Sequence, residues 1–189
     1  MTSFVMRADR KKVILRKLQV SDANLMLEWM SNPDIYSKMQ YDHKHLDLNK
    51  CIFFIKNSWE DKHNLHFAIS NFNSEYMGTI SLKNIDYKNK ITELGIAVHP
   101  MYMGKEIASF ALNEIAKKAF FELELNKIYL CVRADNERAV RFYEKNQLEL
   151  EGCAKEHLFA EGKYRDVLWF ALRKRNYDEW SRHFENIFM

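Results

Sequence analysis

Hydrophobic and polar positions follow two different periods in the first third of the chain. In VILRKLQV (13–20) they alternate, which predicts a half-buried strand. In SDANLMLEWM (21–30) the apolar residues recur with helical spacing behind a serine, the expected N-cap of a helix. The Asn-Pro-Asp at 32–34 breaks this pattern, and a second amphipathic helix is predicted over 47–60, beginning at Asp47.

Strands and helices alternate through the remainder of the chain. Three strand-like runs at 65–71, 76–85 and 91–100, separated by polar turns, predict a meander of antiparallel strands. The elements predicted next are a helix over 104–121, a strand over 127–134, a helix over 136–146, strands over 148–158 and 164–172, and a closing helix within 174–184. This order predicts a mixed α/β sheet with helices on both faces. We find no internal repeat and expect one domain over residues 1–189.

Composition is that of an ordinary globular protein. Of the 189 residues 47% are hydrophobic and 29% charged, and 5 Gly and 2 Pro are too few for a long linker. Five aromatic residues are expected in the core: Phe53, Phe54, Trp59, Phe120 and Phe121. No run approaches the roughly 18 apolar residues of a membrane span, and MTSFVMRADRKKV lacks the apolar core of a secretory signal. We therefore expect a cytoplasmic protein without a membrane partner. The net charge of +3 is small and dispersed, so no nucleic-acid partner is expected either.

Cysteines and histidines show no pattern of a disulfide framework or a metal site. Cys51, Cys131 and Cys153 are odd in number and widely spaced, and we predict three buried thiols. The seven histidines lack metal-ligand spacing with acidic or cysteine neighbours, so no metal is predicted. Cys131 has no histidine close by in the sequence, which argues against a covalent acyl-cysteine intermediate. His99, at a predicted strand end, is expected to pack or contact solvent rather than act as a base.

The stretch HPMYMGKEIASFAL (99–112) reads as a strand end, a short turn with one glycine, and a helix start. A helix that begins this way directs unpaired backbone N–H groups and its positive dipole end toward an anion. Gly104 lets the backbone approach a ligand closely, and Lys105 adds a positive charge. Alternatively, Gly104 only eases the turn. This stretch alone therefore indicates a phosphate site without deciding for it.

A second stretch, VRADNERAVRFYEKNQLELEG (132–152), shows the same strand–helix order. The strand ends at Ala134, Asp135 or Asn136 caps the helix, and a strand resumes at Leu148. Together with ELGIAVHPMYMGKEIA, it resembles the GNAT superfamily of acetyl-CoA-dependent N-acetyltransferases. The specific resemblance is to the branch of ribosomal-protein, spermidine and nucleotide-amino-sugar acetyltransferases, and it covers nearly the whole chain. It implies a mixed, mostly antiparallel, twisted sheet of about seven strands.

The resemblance also implies where acetyl-CoA binds. It assigns cofactor binding to Ala97, Val98, Met103, Gly104, Lys105, Glu106, Ile107, Ala108 and Asn136. Gly104 and Ala108 match the family's pyrophosphate turn, whereas Met103 stands where arginine or glutamine is usual. Glu106 replaces a glycine and brings a carboxylate toward the anion. Weak cofactor binding, or a non-catalytic acyl-CoA-binding module, is therefore the alternative to an enzyme.

Catalytic roles follow from the resemblance in the same way. Tyr143 matches a tyrosine that lies near the CoA sulfur and acts as the general acid; the alternative is a core aromatic. Glu93 is expected to act as a general base through a water; the alternative is an exposed strand carboxylate. Val98 directs its N–H at the thioester carbonyl, and the backbone of Ala97 and Val98 pairs with the pantetheine arm. Asn136 contacts CoA, caps its helix, or does both.

The resemblance implies an acceptor that is a primary amine and attacks the thioester directly. SNPDI, HKHLDLNKCIFFIKN and FYEKNQLELEG resemble the subgroup that acetylates the 4-amino group of UDP-linked sugars. Region 31–60 mixes both charges, which suits a nucleotide diphosphate better than a polyamine: Asp34, Asp42, Asp47, Glu60, Lys38, Lys44, Lys50 and Lys56. The alternatives are spermidine or another polyamine, and a ribosomal-protein N-terminus. A homodimer is possible.

Overall fold

The computed structural model describes residues 13–32 and 45–188, with side chains as far as Phe184. The strands are β1 (Val13–Lys17), β2 (Leu65–Asn71), β3 (Tyr76–Asp86), β4 (Ile91–Val98), β5 (Lys127–Arg133), β6 (Glu149–Ala160) and β7 (Lys163–Arg173). The helices are α1 (Ala23–Met30), α2 (Leu48–Asn57), α3 (Ile107–Lys117), α4 (Glu137–Lys145) and α5 (Tyr177–Phe188).

The strands form one seven-stranded sheet in the order β1-β2-β3-β4-β5-β7-β6. Neighbouring strands are antiparallel except β4 and β5, which are parallel. Helices α3, α4 and α5 pack with β3, β4 and β5 in the larger core, and α1 and α2 pack over β2 and β3 in a smaller one. The predicted mixed, mostly antiparallel sheet with helices on both faces is confirmed.

The start of α1 differs from the sequence prediction, which made Ser21 its N-cap. A 3-10 turn at Val20–Asp22 precedes α1, and Asp22 holds the N-cap position. The Asp22 carboxylate accepts the Gln19 N–H at 2.9 Å and both guanidinium nitrogens of Arg16 at 2.8 and 2.7 Å. The buried Asp22 is the residue that fixes this turn, because it satisfies a backbone donor and an arginine together. The predicted cap of α2 is confirmed: Asp47 accepts the backbone N–H of Lys50 at 2.8 Å.

Helix α3 begins at Ile107, three residues after the predicted start at 104. Gly104 has φ 75° and Glu106 φ 61°, both in the left-handed region, so the chain turns sharply before the helix. After Lys117 the helix widens into one π turn over Lys118–Glu122. The turn before α3 is therefore longer than periodicity alone predicts.

Two predictions about burial are partly wrong. Cys51 is buried, but Cys131 is half-buried and Cys153 is exposed on edge strand β6. Among the five aromatic residues expected in the core, Phe120 is buried, whereas the others are at least a third exposed: Phe53, Phe54, Trp59 and Phe121. Helix α2 directs Cys51 and Ile55 inward, four positions apart, so the helical period turns its phenylalanines outward.

Candidate active site

Strands β4 and β5 are paired over three positions only. Ile91, Thr92 and Glu93 pair with Lys127, Ile128 and Tyr129, and beyond them the two strands separate. On its other side, β4 stays paired with β3 as far as Val98. Residues 94–98 of β4 therefore present an unpaired edge to a cleft. An extended ligand can bond to this backbone edge as a strand would.

A cavity of about 810 Å³ occupies this cleft. Its lining includes the predicted residues Glu93, Ala97, Val98, Met103, Gly104, Glu106, Ile107, Ala108, Asn136 and Tyr143. Lys105 is not among the lining residues, and its ammonium lies 5.5 Å from the centre of the Tyr102 ring. Ten of the eleven sequence-predicted site residues thus converge on one cavity, although they come from three separate segments of the chain.

Backbone direction along β4 is set by its pairing with β3. The N–H of His99 donates to the Met77 carbonyl at 2.8 Å, and hydrogen-bonding groups alternate along an antiparallel strand. This alternation turns the N–H of Ala97 toward β3 and the N–H groups of Ile96 and Val98 toward the cleft. The N–H groups of Ile96 and Val98 are therefore the backbone donors that β4 offers to a ligand in the cleft.

The turn before α3 has the shape of an anion cradle. A Cβ at Gly104 would meet no atom within 4 Å, so the space beside this glycine is open. The first intrahelical bond runs from the Phe110 N–H to the Glu106 carbonyl at 3.0 Å, which leaves the N–H groups at the start of α3 without intrahelical partners. Side chains of α4 add positive charge to the lining: Arg138, Arg141 and Lys145. These groups fit the phosphates of a CoA-type ligand.

Helix α4 is capped by Asn136, whose side chain accepts the Ala139 N–H at 3.3 Å. Of the two cap candidates in the sequence, the structure thus selects the asparagine. Asp135 instead accepts two bonds from Arg133, each 2.9 Å, and lies 2.7 Å from Arg165. This ion-pair group ties the loop before α4 to β7, and it holds the pKa of the Asp135 carboxyl below its usual range, chiefly through Arg133.

Tyr143 is both a core aromatic and a residue of the cavity lining. Its ring packs beside Phe142 and Phe170, with centroids 5.3 and 5.7 Å away, and it also lines the cavity. Burial raises the pKa of its phenol well above the usual range, and nearby Cys131 adds to the shift. At neutral pH the hydroxyl therefore keeps its proton and is able to donate it.

Glu93 lies at the base of the cleft and is 9% exposed, so it is not the exposed strand carboxylate of the alternative interpretation. One carboxylate oxygen accepts a bond from the Lys83 ammonium at 2.6 Å, and the other accepts one from the Asn84 amide at 3.0 Å. Both oxygens thus have a partner within the protein. Glu93 faces the cavity as one half of an ion pair.

The side of the cavity beneath α1 and α2 carries residues that the sequence gave no reason to select. His66 bonds through Nδ1 to the Ser81 hydroxyl at 2.7 Å and packs edge-on against Phe54. Burial lowers the pKa of this imidazole to about 4, so it is neutral at pH 7. Trp29 lines the same side, and its buried indole N–H has no hydrogen-bond partner in the described part of the chain.

Comparison with known proteins identifies the fold family. The sequence model of the Acetyltransferase (GNAT) domain matches residues 12–149, nearly three quarters of the chain. The chain belongs to the GNAT acetyltransferase family. This membership confirms the resemblance drawn from the glycine turn and the Asn136 helix, and it makes the protein an acyltransferase that uses acetyl-CoA.

Relatives of this GNAT acetyltransferase cover most of its length. The N-acetyltransferase p20 of Bacillus licheniformis is 26% identical over 171 residues, which are 88% of this chain and 96% of that protein. Spermidine N(1)-acetyltransferase of Vibrio cholerae is 29% identical over 147 residues, 78% of this chain and 79% of that protein. A crystal structure of the Vibrio cholerae spermidine acetyltransferase with CoA and spermine has a TM-score of 0.80 at 25% identity, covering 88% and 98% of the two chains.

Residues 13–32 and 45–188 contain neither a membrane-spanning helix nor a cluster of metal ligands. None of the described helices of this GNAT acetyltransferase has the length and apolar character to span a bilayer. The same residues hold no group of three or more His, Cys, Asp or Glu side chains arranged to bind a metal ion. The charged residues predicted at 34, 38, 42 and 44 lie outside the described part of the chain.

Tertiary contacts, rather than local sequence, bring four further residues into the cavity lining of this GNAT acetyltransferase: Trp29, His66, Lys83 and Ile96. Ile96 is selected by strand alternation, and Lys83 by its position opposite Glu93 in the β3–β4 register. Trp29 and His66 come from α1 and β2, far from the family motifs in sequence. Only the alternation of LHFAISN and YMGTISLK could have indicated that His66, Ser81 and Lys83 share one face of neighbouring strands.

Proposed function

We propose that this GNAT acetyltransferase transfers the acetyl group of acetyl-CoA to the primary amine of a UDP-linked 4-amino sugar. The observation that carries this proposal is the lining of the cavity beneath α1 and α2. That side is mainly apolar and aromatic, with Met26, Trp29, Leu46 and Phe54, and its one described carboxylate, Glu93, is already bound by Lys83 and Asn84.

Such a lining is unfavourable for a polyamine. A spermidine-like substrate carries several ammonium groups and is best held by carboxylates that lack another cation. A sugar ring instead offers C–H faces to aromatic and apolar side chains, together with hydroxyl and ether oxygens. The neutral His66 adds no positive charge to this side of the cavity and can bond to a hydroxyl or a neutral amine.

Trp29 supports the same choice of acceptor. Its indole N–H is a donor only, and within the described residues it has no partner. A protonated polyamine has donors only and cannot satisfy this group. The oxygen atoms of a nucleotide-linked sugar can, and a buried donor that gains an acceptor contributes to affinity.

The proposed chemistry assigns one role to each residue that lines the cleft. Acetyl-CoA supplies an acetyl thioester, and the amine attacks it directly. Val98 donates its N–H to the acyl oxygen, and Ile96 bonds the pantetheine arm. Glu93 takes the amine proton through a water, and Tyr143 gives its phenolic proton to the departing thiolate sulfur. The turn at Gly104 and the N-terminus of α3 hold the pyrophosphate.

The location, domain organisation and partners that we propose are those expected from the sequence. We propose a cytoplasmic enzyme in which residues 1–189 form one domain. Its partners are a small-molecule amine and a second copy of the chain, and neither nucleic acid nor membrane is among them. The small, dispersed charge of +3 supports the absence of nucleic acid from these partners.

Two other functions keep specific support. Spermidine as acceptor is favoured by the Vibrio cholerae relatives, whose names and bound ligands include polyamines. A non-catalytic acyl-CoA-binding module is favoured by Glu106, a carboxylate at the proposed pyrophosphate turn. These two functions define the outcomes that the test must separate.

An acceptor panel tests the proposal. Purified protein is given acetyl-CoA with a UDP-linked 4-amino sugar, spermidine or a ribosomal N-terminal peptide, and CoA thiol release is followed. Mass spectrometry then identifies the acetylated product. We expect the sugar to have the highest kcat/KM. Faster turnover of spermidine or the peptide would replace the sugar as the acceptor, and acetyl-CoA binding without turnover of any amine would favour the module.

A pair of tryptophan variants sharpens this test. Trp29→Phe keeps the aromatic ring and removes the N–H, so KM for the sugar should rise about tenfold while spermidine turnover is unchanged. Trp59→Phe is the matched control, because the Trp59 N–H donates to the Leu18 carbonyl at 2.8 Å and Trp59 does not line the cavity. An unchanged KM in both variants would contradict the role given to Trp29.

A further inference from the structure

We infer that Lys83 sets the charge preference of the acceptor site by forming an ion pair with Glu93. This inference rests on the acetyltransferase function proposed above. Lys83 lies on β3 directly opposite Glu93 on β4, and both side chains line the cavity. The ammonium is 2.6 Å from the carboxylate, and the two side chains are 21% and 12% exposed. The pair is thus shielded from bulk water but open to a bound acceptor.

Residues of β3 and β4 determine where the Lys83 side chain lies. A Cβ at Gly95 would lie 3.1 Å from Cε of Lys83 and 3.7 Å from its Cδ, so the lysine stem lies over this glycine. Gly95 leaves the space through which the ammonium reaches Glu93. The side-chain amide of Asn84 donates a hydrogen bond to the second carboxylate oxygen of Glu93 at 3.0 Å. The carboxylate is therefore held between two donors of the protein.

The electrostatic consequence concerns the net charge of the acceptor. A carboxylate that lacked a cation would attract an ammonium-rich substrate, whereas the Lys83–Glu93 pair is neutral as a unit. A polycation would have to displace Lys83 from Glu93 or accept its repulsion at short range. A singly charged amine, or one attached to an anionic group, meets a smaller penalty. Lys83 therefore acts as a specificity residue through Glu93.

Charge-removing substitutions at position 83 test this inference. Lys83→Met removes the charge, and Lys83→Gln removes it while keeping a hydrogen-bond donor for Glu93. The measured quantity is the ratio of kcat/KM for spermidine to that for butylamine, which carries one charge. A change in catalysis common to both amines cancels in this ratio. We expect the ratio to rise about tenfold, mainly through a lower KM for spermidine.

Lys127→Met is the matched control. Lys127 forms an ion pair with Glu151 at 2.6 Å, with side chains 27% and 20% exposed, but it does not line the cavity. Its loss should leave the ratio unchanged. Adding Glu93→Gln to Lys83→Met should return the ratio to the wild-type value, because no carboxylate is then exposed. A ratio that stays high in the double variant would show that Lys83 does not act through Glu93.

A binding measurement makes the test independent of the natural acceptor. The Kd of spermidine is measured by calorimetry on the CoA-bound wild type and on both Lys83 variants, with CoA affinity as the check on folding. Tighter spermidine binding by either folded variant supports the inference, and unchanged binding overturns it. Failure of the sugar to be acetylated by the wild type would overturn the proposed acceptor alone, because spermidine binding does not depend on it.

Discussion

Glu93 and Tyr129 face each other at the last position where β4 and β5 are paired. One residue further along both strands the ladder is absent, so the carboxylate of Glu93 lies where the cleft begins. Tyr129 is partly buried there, and burial together with the Glu93 charge raises the pKa of its phenol. This last pair therefore places the proposed base at the closed end of the cleft, below the exposed edge of β4.

Tyr143→Phe is expected to lower kcat by about 10²–10⁴-fold, the usual contribution of a general acid. The ring, which packs on Phe142 and Phe170, is retained, so the Kd of acetyl-CoA and the thermal midpoint should hardly change. Steady-state kinetics, calorimetry and a thermal melt on one preparation measure the three quantities. Tyr164→Phe, which removes the hydroxyl of a tyrosine 64% exposed, is the control. Unchanged kcat in Tyr143→Phe would remove Tyr143 from the mechanism.

Gly104→Val is expected to weaken acetyl-CoA binding at least tenfold, because a β-branched residue at φ 75° strains the turn and crowds the pyrophosphate. Gly162→Val is a close control: Gly162 has φ 77°, its Cβ would also meet no atom within 4 Å, and it lies in the β6–β7 turn. Both variants should lose comparable stability, of order 1–3 kcal/mol. Equal CoA affinity in the two variants would place the phosphates elsewhere.

Glu106→Gly is expected to keep or improve acetyl-CoA affinity. Glu106 has φ 61°, a conformation that glycine adopts readily, so the substitution relieves backbone strain and removes a carboxylate from the turn. Glu106→Gln separates the charge from the backbone effect. Glu124→Gly, at φ 53° on an exposed surface, reports the gain in stability without the cofactor site. A large loss of affinity in Glu106→Gly would show that the glutamate itself supports the bound ligand.

His66 is expected to make stability fall as the pH drops below the usual imidazole pKa. Burial lowers its folded-state pKa from 6.5 to about 4, so between these values the unfolded chain binds the additional proton. Stability is therefore complete above pH 6.5 and declines toward pH 4, by up to about 3 kcal/mol. Urea unfolding at several pH values should show a shallower decline for His66→Gln than for the wild type. Parallel pH profiles would contradict the buried, neutral imidazole.

Local patterns predicted most of the elements of this protein. Alternation located β2, β3 and β4, and the Asp47 cap placed the start of α2 within one residue. The glycine turn and the Asn136 helix indicated the GNAT family before any contact was known. These signals are short in range, since a cap, a turn glycine and an amphipathic period are each written within about ten residues.

The errors arose where the contacts of a side chain, rather than its residue type, decide its position. Ser21 is a good N-cap by composition, but Arg16 and the Gln19 N–H both bond to Asp22, and the helix begins after that residue instead. Phe53 and Phe121 are aromatic, yet both are exposed. Helix α2 turns Cys51 and Ile55 inward, and the π turn after α3 turns Ala119 and Phe120 inward. The hydrophobic character of a single residue does not determine which face of its helix packs on the sheet.

The sequence by itself therefore determined the order of elements, the family and ten of the residues that line the cleft. The tertiary structure decided which atoms of those residues face one another. The β3–β4 register paired Lys83 with Glu93 and turned the N–H of Val98, rather than that of Ala97, toward the cleft. Periodicity gives the side of a strand but not its alignment with a neighbour, because register is fixed by the packing of the whole sheet between its two helical layers.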